Sequence, residues 1–147
     1  MTKRILIAAA VAAVSAVLVG VSAAAGPAKS FHKTFLINCG ASTPKTAQLC
    51  PRPPATSTLG TIKVTSPVVT ATYVTSGHCS TVVLWIYVDG KKTAHTAKIG
   101  ASGTGKVTFH VKSPAKHKLS FVEQGFTGGC NSGTLVGIAG TITVDYH

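Results

Sequence analysis

The sequence predicts an all-β fold: an antiparallel sandwich of about seven strands, preceded by an export signal and a short extension that carries a disulfide loop. Three observations predict this class. Short runs of Val, Ile, Thr and aromatic residues follow one another from Leu59 to the end, divided by clusters of Gly, Pro and Ser. An apolar run opens the chain, and an even number of cysteines lies beyond it.

Residues 1–25 have the three parts of a secretory signal. Lys3 and Arg4 give a positive start, an almost unbroken apolar run comes next, and small residues end at Ala25, where we expect cleavage. The mature chain would then keep no membrane span and would work outside the cell or in a periplasm. An uncleaved anchor is the alternative, since the run is long enough to cross a bilayer. A lipoprotein is less favoured because Cys39 lies well past the run.

The chain is strongly basic. It has 147 residues and a formal net charge of +11, of which two positive charges belong to the signal. About 120 residues remain after cleavage, enough for one domain with a modest core. Such a charge favours acidic partners, namely anionic polysaccharide, lipid headgroups or nucleic acid; solubility alone is the other interpretation. Nucleic acid is disfavoured because Arg52 is the one mature arginine and no reader motif occurs.

Residues 26–58 differ in composition from the rest of the mature chain. They are rich in Pro, Thr and Ser and hold one short apolar patch at 35–37, so we expect neither a helix nor a long strand there. Cys39 and Cys50 bracket a local loop that a disulfide would close, and 51–58 is interpreted as an extended linker. The predicted divisions are therefore a signal at 1–25, an extension at 26–58 and a β domain at 59–147.

Four cysteines, in an exported chain of this size, predict two disulfides. A four-cysteine zinc site is the alternative, but no two cysteines have the close spacing of a zinc knuckle. The cysteines are Cys39, Cys50, Cys79 and Cys130.

Seven segments have the composition and alternation of strands, and no stretch after residue 30 shows the periodicity of a helix. The last segment is long for one strand, and Gly137 and Gly140 are expected to mark a bulge or bend in it. The predicted strands are 60–65, 68–75, 81–89, 93–99, 106–112, 118–124 and 135–146.

Three segments between residues 66 and 146 form a recognisable pattern. The clearest is 84–91, Leu-Trp-Ile-Tyr-Val-Asp-Gly-Lys, a strand that ends in an Asp-Gly hairpin turn needing two positive φ angles. A glycine-rich turn leads into a strand at 103–109, and the segment 114–121 leads into another. In this pattern residues 66–146 resemble bacterial immunoglobulin-like repeat domains. The resemblance implies an immunoglobulin-like sandwich of about seven strands. It also implies a spacer, adhesive or ligand-binding module without catalysis.

The resemblance also implies a disulfide pairing. With the seven strands lettered A, B, C, C′, E, F and G, Cys79 falls in the B–C loop and Cys130 in the F–G loop. These loops lie at one end of such a sandwich, which implies a Cys79–Cys130 bond and leaves Cys39–Cys50 as the second pair.

Catalytic chemistry has little support in the sequence. The acidic residues are Asp89, Glu123 and Asp145; the last two are expected on neighbouring strands but facing opposite sides, which disfavours a paired-carboxylate site. His78 and Cys79 could form a nucleophilic pair, although a disulfide is the favoured state of Cys79. The histidines are scattered without metal-ligand spacing. We therefore expect no enzyme, no cofactor and no metal.

Trp85 and Tyr87 are the candidate binding aromatics. If the aliphatic residues of 84–88 face the core, both rings share the outer face of the C strand and could stack on a sugar or a partner. Two alternatives remain: residues 31–37 could cover that face, or the opposite register could bury Trp85.

Lysines gather at two turns of the predicted sandwich, at the end opposite Cys79 and Cys130, where they could hold a phosphate or carboxylate polymer. Solvated turn lysines are the alternative. The resulting candidate ligand-binding set is Trp85, Tyr87, Lys91, Lys92, Lys112, Lys116 and Lys118, with His117 beside it.

The leading functional hypothesis is a secreted, non-catalytic immunoglobulin-like module that engages a glycan or acidic polymer at the cell envelope. A secreted inhibitor or effector that binds a partner protein through its B–C and F–G loops is the alternative. An enzyme or metal carrier is the third and least favoured hypothesis.

Overall fold

The computed structural model describes residues 26–39, 48–51, 54–78, 80–128 and 137–147. The predicted export signal lies outside these ranges. No helix long and apolar enough to cross a membrane occurs in the part of the chain that is described. The described residues form nine strands: β1 Lys29–Asn38, β2 Gln48–Cys50, β3 Ser57–Val64, β4 Val68–Thr75, β5 Val82–Val88, β6 Lys91–His95, β7 Thr104–His110, β8 Ala115–Gly125 and β9 Gly137–Tyr146.

The nine strands form two antiparallel sheets that pack as a sandwich, which confirms the predicted all-β class. The first sheet has the order β1-β9-β4-β7 and the second has the order β2-β8-β5-β6. Strand β3 pairs with β8 along the same edge as β2, because β2 contacts the last residues of β8 and β3 contacts the earlier ones. Strands β3 to β9 correspond to the seven predicted segments.

Alternation along each strand builds the core between the sheets. In β5 the side chains of Leu84, Ile86 and Val88 are buried, and in β9 every second residue is buried. Because successive side chains of a strand point to opposite faces, each sheet turns one apolar face inward. The largest buried apolar side chains include Tyr73, Phe121, Ile62, Leu84, Ile86, Leu119, Ile138 and Ile142.

Strand β1 corrects the expectation that residues 26–58 contain no long strand. It runs for ten residues and pairs with β9 along its whole length. Phe35 is 8% exposed and packs on the rings of Tyr73 and Phe121, whereas Leu36 is 85% exposed. The sequence does carry this alternation, with Phe31, Phe35 and Ile37 on the inner side, but the many polar residues around it conceal the pattern.

Two further expectations about β9 are wrong. It pairs with β1 and β4, so Asp145 and Glu123 lie in different sheets rather than on neighbouring strands. Both of its ladders run without a register shift, so Gly137 and Gly140 mark no bulge. Gly140 instead allows a close approach, since a Cβ there would lie 2.6 Å from the Val74 carbonyl oxygen and against the Tyr73 ring.

The predicted Asp-Gly turn is confirmed. Asp89 has φ 51° and Gly90 has φ 79°, the positive values that a two-residue turn between β5 and β6 requires. The strand after this turn ends at His95, earlier than predicted, and Ile99 contributes only an isolated bridge to Val82.

Candidate functional site

The outer face of the second sheet carries the two candidate aromatics. Since Leu84, Ile86 and Val88 are buried, Trp85 and Tyr87 project outward, and both are half-buried. The register that would bury Trp85 in the core is therefore wrong. Residues 31–37 do not cover this face either, because they belong to β1 in the other sheet.

The ring of Trp85 is held from several sides. Its indole N–H donates to Gln124 Oε1 at 2.8 Å, and the His95 ring lies 4.3 Å from it between centroids. Lys92 Nζ lies 3.3 Å from the centre of the Trp85 ring, an arrangement in which the π face attracts the ammonium. On that side, Trp85 is therefore covered by a positive charge.

Exposed lysines flank the aromatic pair on the same face. In β8, Lys116 and Lys118 alternate with the buried His117 and Leu119, so both project outward. Lys63 of β3 lies directly opposite Lys116 in the ladder. On the other side, Lys92 of β6 lies opposite Tyr87. We call this surface the lysine–aromatic face; its residues are Lys63, Trp85, Tyr87, Lys92, His95, Lys116 and Lys118.

Two predicted lysines lie beside this face rather than on it. Lys91 is opposite the core-facing Val88 at the start of β6. Lys112 lies in the connection between β7 and β8, and its carbonyl oxygen is 2.8 Å from His117 Nε2. Both belong to the end of the sandwich that holds the Asp89-Gly90 turn. Lys63 is absent from the predicted set because only the pairing of β3 with β8 brings it there.

The chain has three acidic residues, and because of where they lie the lysine–aromatic face stays positively charged. Asp145 lies on the other sheet, and Glu123 is fully buried between the sheets. Asp89 stands at the corner of the face, where its Oδ1 accepts the Lys118 backbone N–H at 2.8 Å. Its Oδ2 lies 2.7 Å from His117 Nδ1, and hydrogen bonds from His117 and then from the Lys118 backbone lower the pKa of Asp89.

A buried polar cluster lies inside the sandwich, toward the end away from the Asp89-Gly90 turn. The alternation of β8 places Glu123 on the inner side, so the sequence carries a signal for it. Tyr73 O–H donates to Glu123 Oε2 at 2.5 Å, and His78 Nε2 lies 3.3 Å from the Tyr73 oxygen and 3.4 Å from Glu123 Oε1. Glu123 and Tyr73 are both 0% exposed, so the cluster is part of the buried interior of the described residues.

Burial controls the ionisation of this cluster. It raises the pKa of Glu123 to about 7, although the Tyr73 hydrogen bond acts in the opposite direction. Burial, and next the neighbouring Glu123, raise the pKa of Tyr73, while burial lowers the pKa of His78. Glu123 Oε1 has no hydrogen-bond partner among the described groups, since its 3.4 Å approach to His78 is an ion-pair distance without hydrogen-bond geometry. An ionised Glu123 would therefore destabilise the fold.

The structure contains one of the two expected disulfides. A Cys39–Cys50 disulfide with a Cα–Cα distance of 5.6 Å joins the end of β1 to β2, and so links the two sheets. This bond contradicts the four-cysteine zinc alternative. Cys79 and Cys130 lie outside the described residues. Within the described ranges, no group of three or more metal-ligating side chains comes together.

Comparison with known proteins adds no relative: the chain matches no protein-family model and no curated protein.

Proposed function

We propose that the protein is an exported, non-catalytic binding module that engages an acidic polymer of the cell envelope through its lysine–aromatic face. The observation that carries the proposal is the placement of exposed lysines from β3, β6 and β8 around Trp85 and Tyr87. A surface of one charge sign concentrates polyanions and steers their approach.

The contacts of Trp85 favour an acidic polymer over a neutral glycan. A neutral sugar would stack on a free ring face, but Lys92 Nζ occupies the space over the Trp85 ring. A carboxylate, sulfate or phosphate group could instead contact that ammonium while Tyr87 and Trp85 support the rest of the repeat unit. The three carboxylates do not compete strongly, since one is buried, one lies on the other sheet and Asp89 is paired with His117.

We further propose that the sandwich is a variant of the immunoglobulin-like modules. Five strands have the same pairing partners as in an immunoglobulin domain: β4 pairs with β7, β5 pairs with β8, and β5 also pairs with β6. The first and the last of the seven strands have different partners: β3 pairs with β8, and β9 pairs with β4. In immunoglobulin domains the first strand joins the second and the last joins the sixth, so the first and last of the seven strands have exchanged sheets here.

The Cys79–Cys130 bond fits this proposal. Phe126, four residues before Cys130 along the chain, donates its backbone N–H to the Thr81 carbonyl at 3.1 Å, and Ser80 Oγ donates to the Phe126 carbonyl. The residues just after Cys79 therefore contact the segment that leads to Cys130, at one end of the sandwich. Peptide mapping of the exported protein without reduction should recover a peptide that joins Cys79 to Cys130; free thiols at both would contradict the bond.

Neutralising three lysines of the face should weaken polyanion binding strongly. A Lys92→Gln/Lys116→Gln/Lys118→Gln variant is expected to lose affinity for heparin oligosaccharides by ~100-fold, since each lysine at an anionic surface contributes about 1 kcal/mol. Isothermal titration calorimetry at physiological salt measures the loss, with neutral dextran as the unbound reference.

The matched control removes the same charge elsewhere. Lys106 projects from the other sheet, Lys98 lies over the Phe126 ring, and Lys29 is at the start of β1. The variant Lys29→Gln/Lys98→Gln/Lys106→Gln should bind nearly as well as the wild type. Equal losses in both variants would show that only total charge matters, and would contradict a dedicated face.

A further inference from the structure

His117 is placed between two groups that can only accept hydrogen bonds. Its Nδ1 lies 2.7 Å from Asp89 Oδ2, and its Nε2 lies 2.8 Å from the Lys112 carbonyl oxygen. The ring is buried, at 7% exposure, beneath the end of the second sheet. A neutral imidazole has one N–H and could satisfy only one of these acceptors, whereas the imidazolium satisfies both.

We infer that His117 is an imidazolium that ties together the two lysine-bearing connections, so that its loss of a proton weakens polyanion binding by the lysine–aromatic face. One connection is the Asp89-Gly90 turn, which leads into Lys91 and Lys92. The other links β7 to β8 and carries Lys112. This regulation rests on the proposed function, whereas the protonation state of His117 stands independently of it.

The groups packed around His117 favour its charged form. Asp89 is the acidic group that faces it, from the turn after β5, and the Lys112 carbonyl faces it from the connection before β8. Strand β3 contributes the apolar Ile62 opposite His117 in the ladder. Lys63, Lys116 and Lys118 project to the outer face, away from the ring. The charge of Lys91 acts on Asp89 and also lowers the pKa of that carboxyl, less than the hydrogen bonds from His117 and the Lys118 backbone do.

Loss of the proton has two consequences. One of the two hydrogen bonds breaks, because one ring nitrogen becomes an acceptor facing another acceptor. The charge of Asp89 is also no longer balanced at the corner of the face, and an unbalanced carboxylate repels a polyanion. The Lys112 bond and then the Asp89 bond raise the pKa of His117, so both effects are expected only above the ordinary histidine range.

Nitrogen-15 NMR of the imidazole rings tests the protonation state directly. At pH 6.5 both His117 ring nitrogens of the full mature protein should show the shifts of protonated nitrogens, and they should titrate above the ordinary histidine pKa. An unprotonated ring nitrogen at pH 6.5 would overturn the inference while leaving the proposed function standing.

Binding measured against pH tests the regulation. Affinity for heparin oligosaccharides at constant ionic strength should fall at least threefold through the same midpoint that NMR gives for His117. In Asp89→Asn, which suits the positive φ of the turn, both midpoints should move together to lower pH. His95 does not produce this joint shift, because it lies at the other end of β6 from the turn.

The remaining outcomes are separable. Wild-type affinity that stays constant through the His117 titration, or an affinity midpoint that stays in place when Asp89→Asn moves the NMR midpoint, would overturn the regulation. Failure of heparin oligosaccharides to bind at any pH would overturn both the proposed function and its regulation, with the NMR result on the imidazolium unaffected.

Discussion

A Glu123→Gln variant is expected to be more stable than the wild type at pH 8 and close to it at pH 4.5. Burial raises the pKa of Glu123 from 4.5 to about 7, so the folded state favours the protonated carboxyl. Stability from this group is fully present below the unfolded pKa and is lost as the pH rises through the folded pKa. At 1.36 kcal/mol per pKa unit, the loss by pH 8 is about 3 kcal/mol.

Urea unfolding of both proteins at the two pH values measures this difference. Gln keeps the shape of the side chain and an oxygen that can accept the Tyr73 hydroxyl, but it cannot ionise. Asp145→Asn is the matched control: it changes an exposed acid to its amide on the other sheet, so it relieves no burial penalty and should not reproduce the gain in stability at pH 8. Parallel profiles for the wild type and Glu123→Gln would show that Glu123 is not ionised against a burial penalty.

Replacing Phe35 by Ala should destabilise the fold by about 3–5 kcal/mol, the range for removing a large ring from a core. The Phe35 ring centroid lies 5.8 Å from that of Tyr73 and 4.6 Å from that of Phe121, so it connects the first sheet to the second. The loss would leave a cavity between the Tyr73 and Phe121 rings and would weaken the attachment of β1.

Leu36→Ala gives the control for this prediction. Leu36 is the next residue in the same strand but is 85% exposed, and its replacement should change the unfolding free energy by no more than about 0.5 kcal/mol. Thermal and urea unfolding of both variants measure the difference. Similar small effects for both would contradict the integration of β1 into the sandwich.

Local sequence patterns predict most of the strands, but they do not predict which strands pair with one another. Alternation within a strand is a local property, so the seven strands, the inward set of β5 and the Asp89-Gly90 turn follow from neighbouring residues. Which strands become neighbours depends on contacts far apart in the chain. The expectation that Asp145 lies beside the strand of Glu123 is therefore wrong.

In the candidate site, too, some features follow from local sequence and others only from strand pairing. The outward direction of Trp85 follows from the aliphatic residues on either side of it. The contribution of Lys63 follows only from the β3–β8 ladder, and Lys92 over the Trp85 ring depends on the β5–β6 pairing with its register shift. Glu123 lies on the same side of β8 as Leu119 and Phe121, so alternation in the sequence indicates its burial. Its partner Tyr73 belongs to the other sheet, and no local pattern indicates that contact.

Mapping of bound polyanion by amide NMR tests the central proposal most directly. Titration of the protein with a heparin oligosaccharide should shift the Trp85 indole N–H and the amides of Lys63, Lys92, Lys116 and Lys118. The outer face of the first sheet should change little. Shifts confined to residues at the opposite end, such as His78, Ser80 and Phe126, would contradict the lysine–aromatic face as the binding site and would favour a loop-mediated partner instead.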